Sequence, residues 1–456
     1  MAKINPEIFR AYDIRGIYPE QINEEAVAAI ARAFVQYLNP DEVVLGRDVR
    51  LSGPKLFKAI TEALTESGVN VIDIGQCTTD MFYFTVGKYH YPAGIMITGS
   101  HNPKEYNGLK LVKEGVVAIS SDSGLLDIRD LAIKDQNLKA KKSGKIIQKN
   151  VLGDYLNHIL SFIDISKIKP HKIVTNPNFG AAGMVLDKLA EKLPIELVKL
   201  NFEPDGNFPK GRPDPYRPET RPETSKLVKS SQADFAVCWD ADADRVFFFD
   251  EKGNWIEPCY ITAVLIEKML KKYPHEKIIY DPRVTWPVLR AIRENGGIPL
   301  LNKIGHTFFK ERMRKENGLF TAESSGHYYF RENFFADNGM IPFLMILEEL
   351  SVQDCKLSEL VRPWQKEHAT SGEINFEVAE PLKKVEEIAK KYSGPPSAGA
   401  EPSKIDRTDG LSVEYSDWRF NLRPSNTEPL LRLNIEARSQ KLLREKKKEL
   451  TNQIKD

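Results

Sequence analysis

Three stretches of this 456-residue chain share one order of elements, and a chain built that way has few ways to fold. The first runs from the apolar strand "EVVLG" (42–46) through the polar turn "RDVRLSGP" and a helical stretch to Ser67, then into a second strand, "VNVIDIG" (69–75). The same order returns in "HKIVTNPNFGAAGMVLDKLAEKLPIELVKL" (171–200) and in "EKIIYDPRVTWPVLRAIRENGGIPLL" (276–301). In each, β-rich residues give way to a turn and then to apolar residues at helical spacing. Strand–helix–strand units of this length imply right-handed crossovers and parallel pairing. The expectation is three similar α/β domains with mixed, mostly parallel sheets.

The last part follows another rule. "SGEINFEV", "LSVEYS", "WRFNLRP" and "LLRLNIEA" read as strands, with helices at 381–392 and 439–455, which predicts an α+β domain with an antiparallel sheet. The Pro/Gly/Ser-rich "SGPPSAGAEPSK" (393–404) reads as a long exposed loop within it. The expected domains are 1–145, 146–252, 253–367 and 368–456, arranged around a central cleft.

Composition removes several classes. Sixty-five basic residues against 64 acidic ones leave a formal charge of +1, so no global field draws nucleic acid or an anionic membrane. Any anion site has to be a local cluster. Cys77, Cys238, Cys259 and Cys355 are scattered without metal spacing and fit a reducing compartment. "MAKINPEIFR" lacks the apolar core of a signal peptide, and no run of 18 apolar residues occurs. A soluble, cytoplasmic protein is expected.

Four motifs bear chemistry. "ITGSHNPKEYNGLK" (97–110) places Ser100 on a turn between apolar runs, either as an ordinary β-turn or as a displayed nucleophile. "DADADR" after the strand "ADFAVCW" carries Asp240, Asp242 and Asp244 at alternate positions. Three converging carboxylates suit a hard cation such as Mg²⁺ or Ca²⁺. An EF-hand is excluded, because its sixth position must be Gly and is Arg245, and because the flanks read as strands. "NLRPSNTEP" (421–429) offers Arg423, Ser425, Asn426 and Thr427 to a phosphate dianion, although a polar hairpin turn would look the same. "AESSGHYYF" (322–330) presents Glu323 and Ser325, which can bond sugar hydroxyls, with Gly326 allowing close backbone approach. "FRAYDIRG" (9–16) adds Arg10 and Arg15, and "KIGHTFF" adds His306.

In this order and spacing, "TGSHNPKEYNGLK", "DADADR", "AESSGH" and "RPSNTEP" resemble the α-D-phosphohexomutase family. "FRAYDIRG" is most similar to its bacterial phosphomannomutase/phosphoglucomutase branch, and the resemblance spans the whole chain. It implies a mutase that interconverts hexose 1-phosphate and hexose 6-phosphate, mannose and/or glucose, through a phosphoserine and a hexose 1,6-bisphosphate. It implies one Mg²⁺ per chain, bound by Asp240, Asp242, Asp244 and the phosphorylated Ser100. Arg15, His101, Lys110, Arg245 and His306 fall at charged or proton-handling positions around the reacting phosphate. Glu323 and Ser325 match sugar readers; Arg423, Ser425, Asn426 and Thr427 match the clamp on the other phosphate. Arg10, Tyr12, Arg283 and His327 complete the implied substrate contacts. The implied partners are phosphorylated hexoses, with no nucleic acid and no membrane, for a monomer or weak dimer.

Two departures stand out. Ala241 replaces the usual Gly between the first two aspartates and implies a less permissive backbone there. Arg283 stands where a lysine is usual, and a guanidinium holds charge but does not shuttle protons. A serine hydrolase would leave the aspartates without a role, and the chain has no G-x-S-x-G elbow. Phosphoglucosamine mutase and a non-turning-over sugar-phosphate binder remain the other readings. Ser100 has to meet a hydroxyl and a phosphate alternately, so an exposed loop tip is expected for it.

Overall fold

The structure, a computed structural model, describes residues 4–135, 140–392, 402–425 and 430–455. The chain divides into two compact units. The first comprises Met1–Trp255 and Ser325–Leu357, the second Ile256–Ser324 and Ser358–Asp456.

The first unit opens with a mixed sheet in the order Ile14–Ile17, Tyr106–Lys113, Ala93–Ile97, Glu42–Arg47, Asn70–Gln76 and Ile146–Gln148. From Ala93–Ile97 onward the pairing is parallel, as the crossover units require. Ile14–Ile17 and Tyr106–Lys113 run antiparallel, and the sheet draws on residues just beyond 145. Helix Glu24–Leu38 shows how local chemistry makes an element. Asn23 caps its first turn by accepting from Ala26 N, and Asn39 ends it in the left-handed region. Between them Val27, Ile30 and Phe34 fall on one face and are fully buried against the sheet core.

The second repeat places Phe235–Trp239, His171–Asn176 and Ile195–Lys199 in parallel, with helices Ala182–Ala190 and Pro222–Ser231. Val246–Phe249 pairs antiparallel with Phe235–Trp239, so "DADADR" is the turn of a β-hairpin whose two strands are buried throughout.

In the second unit, Lys277–Tyr280 lies between Ile298–Leu301 and Phe320–Ala322, all parallel. The C-terminal sheet is wholly antiparallel, in the order Ala369–Glu377, Leu430–Ala437, Trp418–Pro424, Leu411–Glu414 and Lys404–Asp406. Helices Pro381–Tyr392 and Gln440–Lys455 bury Val385, Ile388, Leu443 and Leu450 against it. The reading of 393–404 as a loop falls mostly outside the described residues. Its last residue, Lys404, begins an edge strand, because residues 404–406 find pairing partners at Ser412–Glu414. Among the described residues no helix is long and apolar enough to cross a membrane.

Candidate active site

The serine loop is built from backbone carbonyls and one buried arginine. The chain leaves Ala93–Ile97 through Thr98 and Gly99 and returns along Tyr106–Lys113. Ser100 adopts φ +46°, a region uncommon outside Gly. Arg50 holds it there with every N–H it has. Nε donates to Asp48 Oδ2 (3.2 Å), Nη1 to the carbonyls of Pro103 (2.6 Å) and Tyr106 (2.8 Å), and Nη2 to those of Ser100 (2.8 Å) and Asn102 (2.7 Å). Asp48 Oδ2 also accepts from Thr98 Oγ1 (2.8 Å) and Gly99 N (3.1 Å). Gly99 is required, since a Cβ there would lie 2.1 Å from Arg50 Nε.

The expected exposed tip is corrected: Ser100 is buried, with 4% of its surface exposed. Its hydroxyl donates to Asp240 Oδ2 at 3.0 Å and lies 3.2 Å from His101 Nδ1. The Ser100 hydroxyl is thus enclosed between the aspartate loop and the His101 ring. Burial, reinforced by Arg245, Arg212 and Arg15, holds His101 well below the usual imidazole range, which leaves its ring neutral.

The three aspartates converge as expected. One oxygen from each lies within 4.8 Å of the others, and all three residues are buried. Lys110 Nζ contacts Asp242 Oδ2 (2.7 Å) and Asp244 Oδ2 (2.5 Å). Asp242 Oδ2 also accepts from Thr79 Oγ1 (2.7 Å) and Thr98 Oγ1 (3.1 Å). Among the described residues Asp242 Oδ1 and Asp244 Oδ1 have no hydrogen-bond partner, and the His327 ring lies 3.5 Å from Asp244 Oδ1. Burial, then Asp244 and Asp242, push Asp240 well above the carboxylate range. Burial raises Asp244 too, but Lys110 and His327 outweigh it and hold that group well below. Buried carboxylate oxygens spare on one side and pinned on the other are the donor set of a hard divalent cation. A Mg²⁺ bound there would neutralise the charge that gathers when a phosphate approaches. The positive-φ residue of the loop is Ala243 (φ +61°), while Ala241 is not left-handed, so the replacement at 241 meets no backbone demand of that kind.

Other expected residues join this group. Arg15 Nη1 donates to Thr98 O at 2.8 Å and pairs with Asp13. Arg245 N donates to Asp240 Oδ1 (3.3 Å), and its Nε lies 3.9 Å from Asp240 Oδ2. Ser325 Oγ is 3.2 Å from His327 Nδ1, which ties Ser325 through His327 to Asp244. Arg10 is exposed and Tyr12 half-buried.

The second unit holds its own cluster. Arg283 pairs with Asp281 (2.7 Å) and Glu323 (3.4 Å), all buried. These carboxylates outweigh burial and keep Arg283 a fixed cation. Arg423 is buried, 3.7 Å from Glu373, and Arg432 Nη2 donates to Ser425 Oγ at 3.2 Å. His306 is half-buried at the start of helix His306–Glu316. Asn426 and Thr427 lie outside the described residues.

Sequence reasoning passed over Arg50, Asp48, Thr79, Glu373 and Arg432. "RDVRLSGP" reads as a polar turn, and only its burial in the fold turns two of its charges into a scaffold. Thr79, Glu373 and Arg432 carry no local signal.

Comparison with known proteins agrees with this chemistry. Models of phosphoglucomutase/phosphomannomutase α/β/α domains I, II and III match residues 6–137, 153–253 and 257–367, and that of the C-terminal domain matches 373–453. The phosphohexose mutases of Xanthomonas campestris pv. campestris are 44% identical over 448 residues, 98% of this chain and 99% of theirs. A phosphomannomutase of Escherichia coli is 42% identical over 437 residues, 94% of each chain. The crystal structure of a phosphoglucomutase/phosphomannomutase family protein from Burkholderia thailandensis superimposes with TM-score 0.87 at 30% identity, covering 99% and 98% of the two chains. The chain belongs to the phosphoglucomutase/phosphomannomutase family. It is a hexose-phosphate mutase, a phosphotransferase acting within one substrate molecule.

Proposed function

We propose that the protein interconverts the 1- and 6-phosphates of mannose and/or glucose through phosphorylated Ser100 and a hexose 1,6-bisphosphate. The observation that carries this reading is the Ser100 hydroxyl bonded at 3.0 Å to Asp240, one of three converging buried aspartates. A serine hydrolase has no use for that cluster. Names of the relatives favour mannose among the substrates, and phosphoglucosamine is the alternative.

In the forward step the bond from phosphorus to Ser100 Oγ breaks as a bond to a sugar hydroxyl forms, and the hydroxyl proton passes by way of His101 to the freed Ser100 oxygen. In the return step the sugar's other O–P bond breaks as phosphorus bonds Ser100 Oγ, and the serine proton passes by way of His101 to the freed sugar oxygen. Neutral His101, 3.2 Å from the hydroxyl, takes and returns the serine proton. Lys110, held protonated against burial by Asp242 and Asp244, supplies charge only. Arg15 and Arg245 add cations beside Ser100, and Asp240, Asp242 and Asp244 hold Mg²⁺. Phosphoryl transfer needs mostly positioning and charge neutralisation.

Glu323, Ser325 and His327 read the sugar. Arg423 and Ser425, with Asn426 and Thr427, hold the phosphate that is not reacting; Arg10, Tyr12, Arg283 and His306 serve the same substrate. We take the four domains as 1–145, 146–252, 253–367 and 368–456, with strand Ile146–Gln148 completing the sheet of the first, in a cytoplasmic enzyme.

The test combines intact mass with turnover of mannose, glucose and glucosamine 1-phosphates. A partly phosphorylated species mapping to Ser100 is expected, with Ser100→Ala inactive and unphosphorylated. Phosphate on another residue together with an active Ser100→Ala enzyme would overturn the reading.

A further inference from the structure

Glu373 stands among three arginines without bonding any of them closely. Its carboxylate is 3.5 Å from Arg432 Nη1, 3.7 Å from Arg423 Nη2 and 4.0 Å from Arg283 Nη1. Charge-assisted hydrogen bonds run to about 2.7–2.9 Å, as Arg283 achieves with Asp281. Only 5% of the Glu373 side chain is exposed, yet its Oε2 has no hydrogen-bond partner among the described residues, and neither has buried Arg423 Nε.

The backbone aims it there. Strand Ala369–Glu377 pairs Thr370 with Glu436 and Glu373 with Asn434, so three steps on one strand face two on the other. Gly372, at φ +63°, takes up the extra residue. Such a bulge re-aims the side chain that follows it. On the neighbouring strands Arg423 lies directly opposite Arg432, a like-charge pair that destabilises a sheet unless something offsets it.

We propose that Glu373 is an internal competitor for phosphate: a positioning residue whose carboxylate occupies the arginines loosely, so that they grip a phosphate group and also release it. The inference rests on the phosphate-clamp reading of Arg423 above. A dianion arriving beside Arg423 and Arg432 displaces one carboxylate from weak contacts rather than from a closed ion pair. Its departure restores a counter-ion for the two guanidinium groups. An intermediate that must let go before its second phosphate reacts requires that balance.

The test uses the full-length enzyme with inorganic phosphate as competitive probe, alongside kcat and KM for hexose 1-phosphate. Glu373→Gln is expected to bind phosphate roughly tenfold more tightly, the change that about 1.4 kcal/mol of relieved competition produces. KM falls with it, and kcat falls because release slows. Glu373→Asp draws the carboxylate back and shifts phosphate affinity the same way by less, which keeps the test available should the Gln variant fold poorly. A purely structural role would give weaker phosphate binding and higher KM in both variants, and that result, or unchanged affinity, overturns the proposal. Arg423→Lys separates the two readings. If it weakens phosphate binding while the Glu373 variants do not tighten it, only the role of Glu373 fails. If Arg423→Lys leaves phosphate binding unchanged, the clamp fails, and the proposal with it.

Discussion

Arg50 engages all five of its N–H donors, four on carbonyls of the serine loop and one on Asp48. No other side chain has that many donors in a rigid plane. Lysine keeps the charge but has three donors on a flexible stem, so it cannot close the same cage. Arg50→Lys is therefore expected to let Ser100 drift from Asp240 and lower kcat on the order of a hundredfold, as small misplacements of reacting groups do. KM should change little, because Arg50 faces the loop and not the sugar. Kinetics and the phosphoserine fraction by intact mass check this; wild-type kcat with full phosphorylation would remove Arg50 from the mechanism. On the proposed Mg²⁺ site, Asp242→Asn removes one of the three carboxylates at constant shape, so the Mg²⁺ concentration for half-maximal activity should rise, as a titration from chelated enzyme would show.

Helix Trp286–Glu294 starts without a cap of its own: the side chain of Thr285 makes no cap bond. Glu436, from the C-terminal sheet, accepts from Thr285 N (2.8 Å) and Trp286 N (2.9 Å) and pairs with buried Arg419, which donates to the carbonyls of Pro282 and Arg283. Glu436→Ala uncaps the helix and strands the Arg419 charge, a change that costs about 3–5 kcal/mol. Denaturant unfolding should show a loss of that size, with Glu436→Gln losing less. Asp80, beside the cap of helix Thr79–Lys88, supplies a pH test. Burial pushes it up to about 7 against three donors, Thr78, Tyr155 Oη and Met81 N. A carboxyl whose folded pKa is raised stabilises most below the unfolded value near 4, and this contribution is lost as pH rises through about 7. Between those limits Asp80→Asn should gain on the wild type by at most about 1.4 kcal/mol per pH unit. A difference independent of pH would mean that the three donors keep Asp80 ionised throughout. The helices and strands themselves were legible, since period and punctuation are local. The cap by Glu436 was not, because its acceptor lies some 150 positions away in sequence.

For the whole molecule, the three aspartates belong to one unit and the arginines around Glu373 to the other, so the effects of the proposed cation and of the proposed phosphate clamp should be separable. Mg²⁺ alone is expected to slow amide exchange at 98–110 and 240–245, and to leave 281–285 and 418–425 unchanged. Protection spread evenly over both segments would contradict a single cation at the three aspartates. The order of strands and helices, the antiparallel character of the last sheet, the aspartate triad and the serine loop could all be read from residues near one another in the chain. Side-chain period, turn chemistry and charge spacing act over a few residues, so they are written locally. Burial is not local. That Ser100 is enclosed, that Arg50 is its cradle, that Lys110 pins Asp242 from 132 positions away, and that a bulge at Gly372 turns Glu373 toward Arg423 were decided only by the tertiary structure. There the surrounding fold removes water and selects which charges meet.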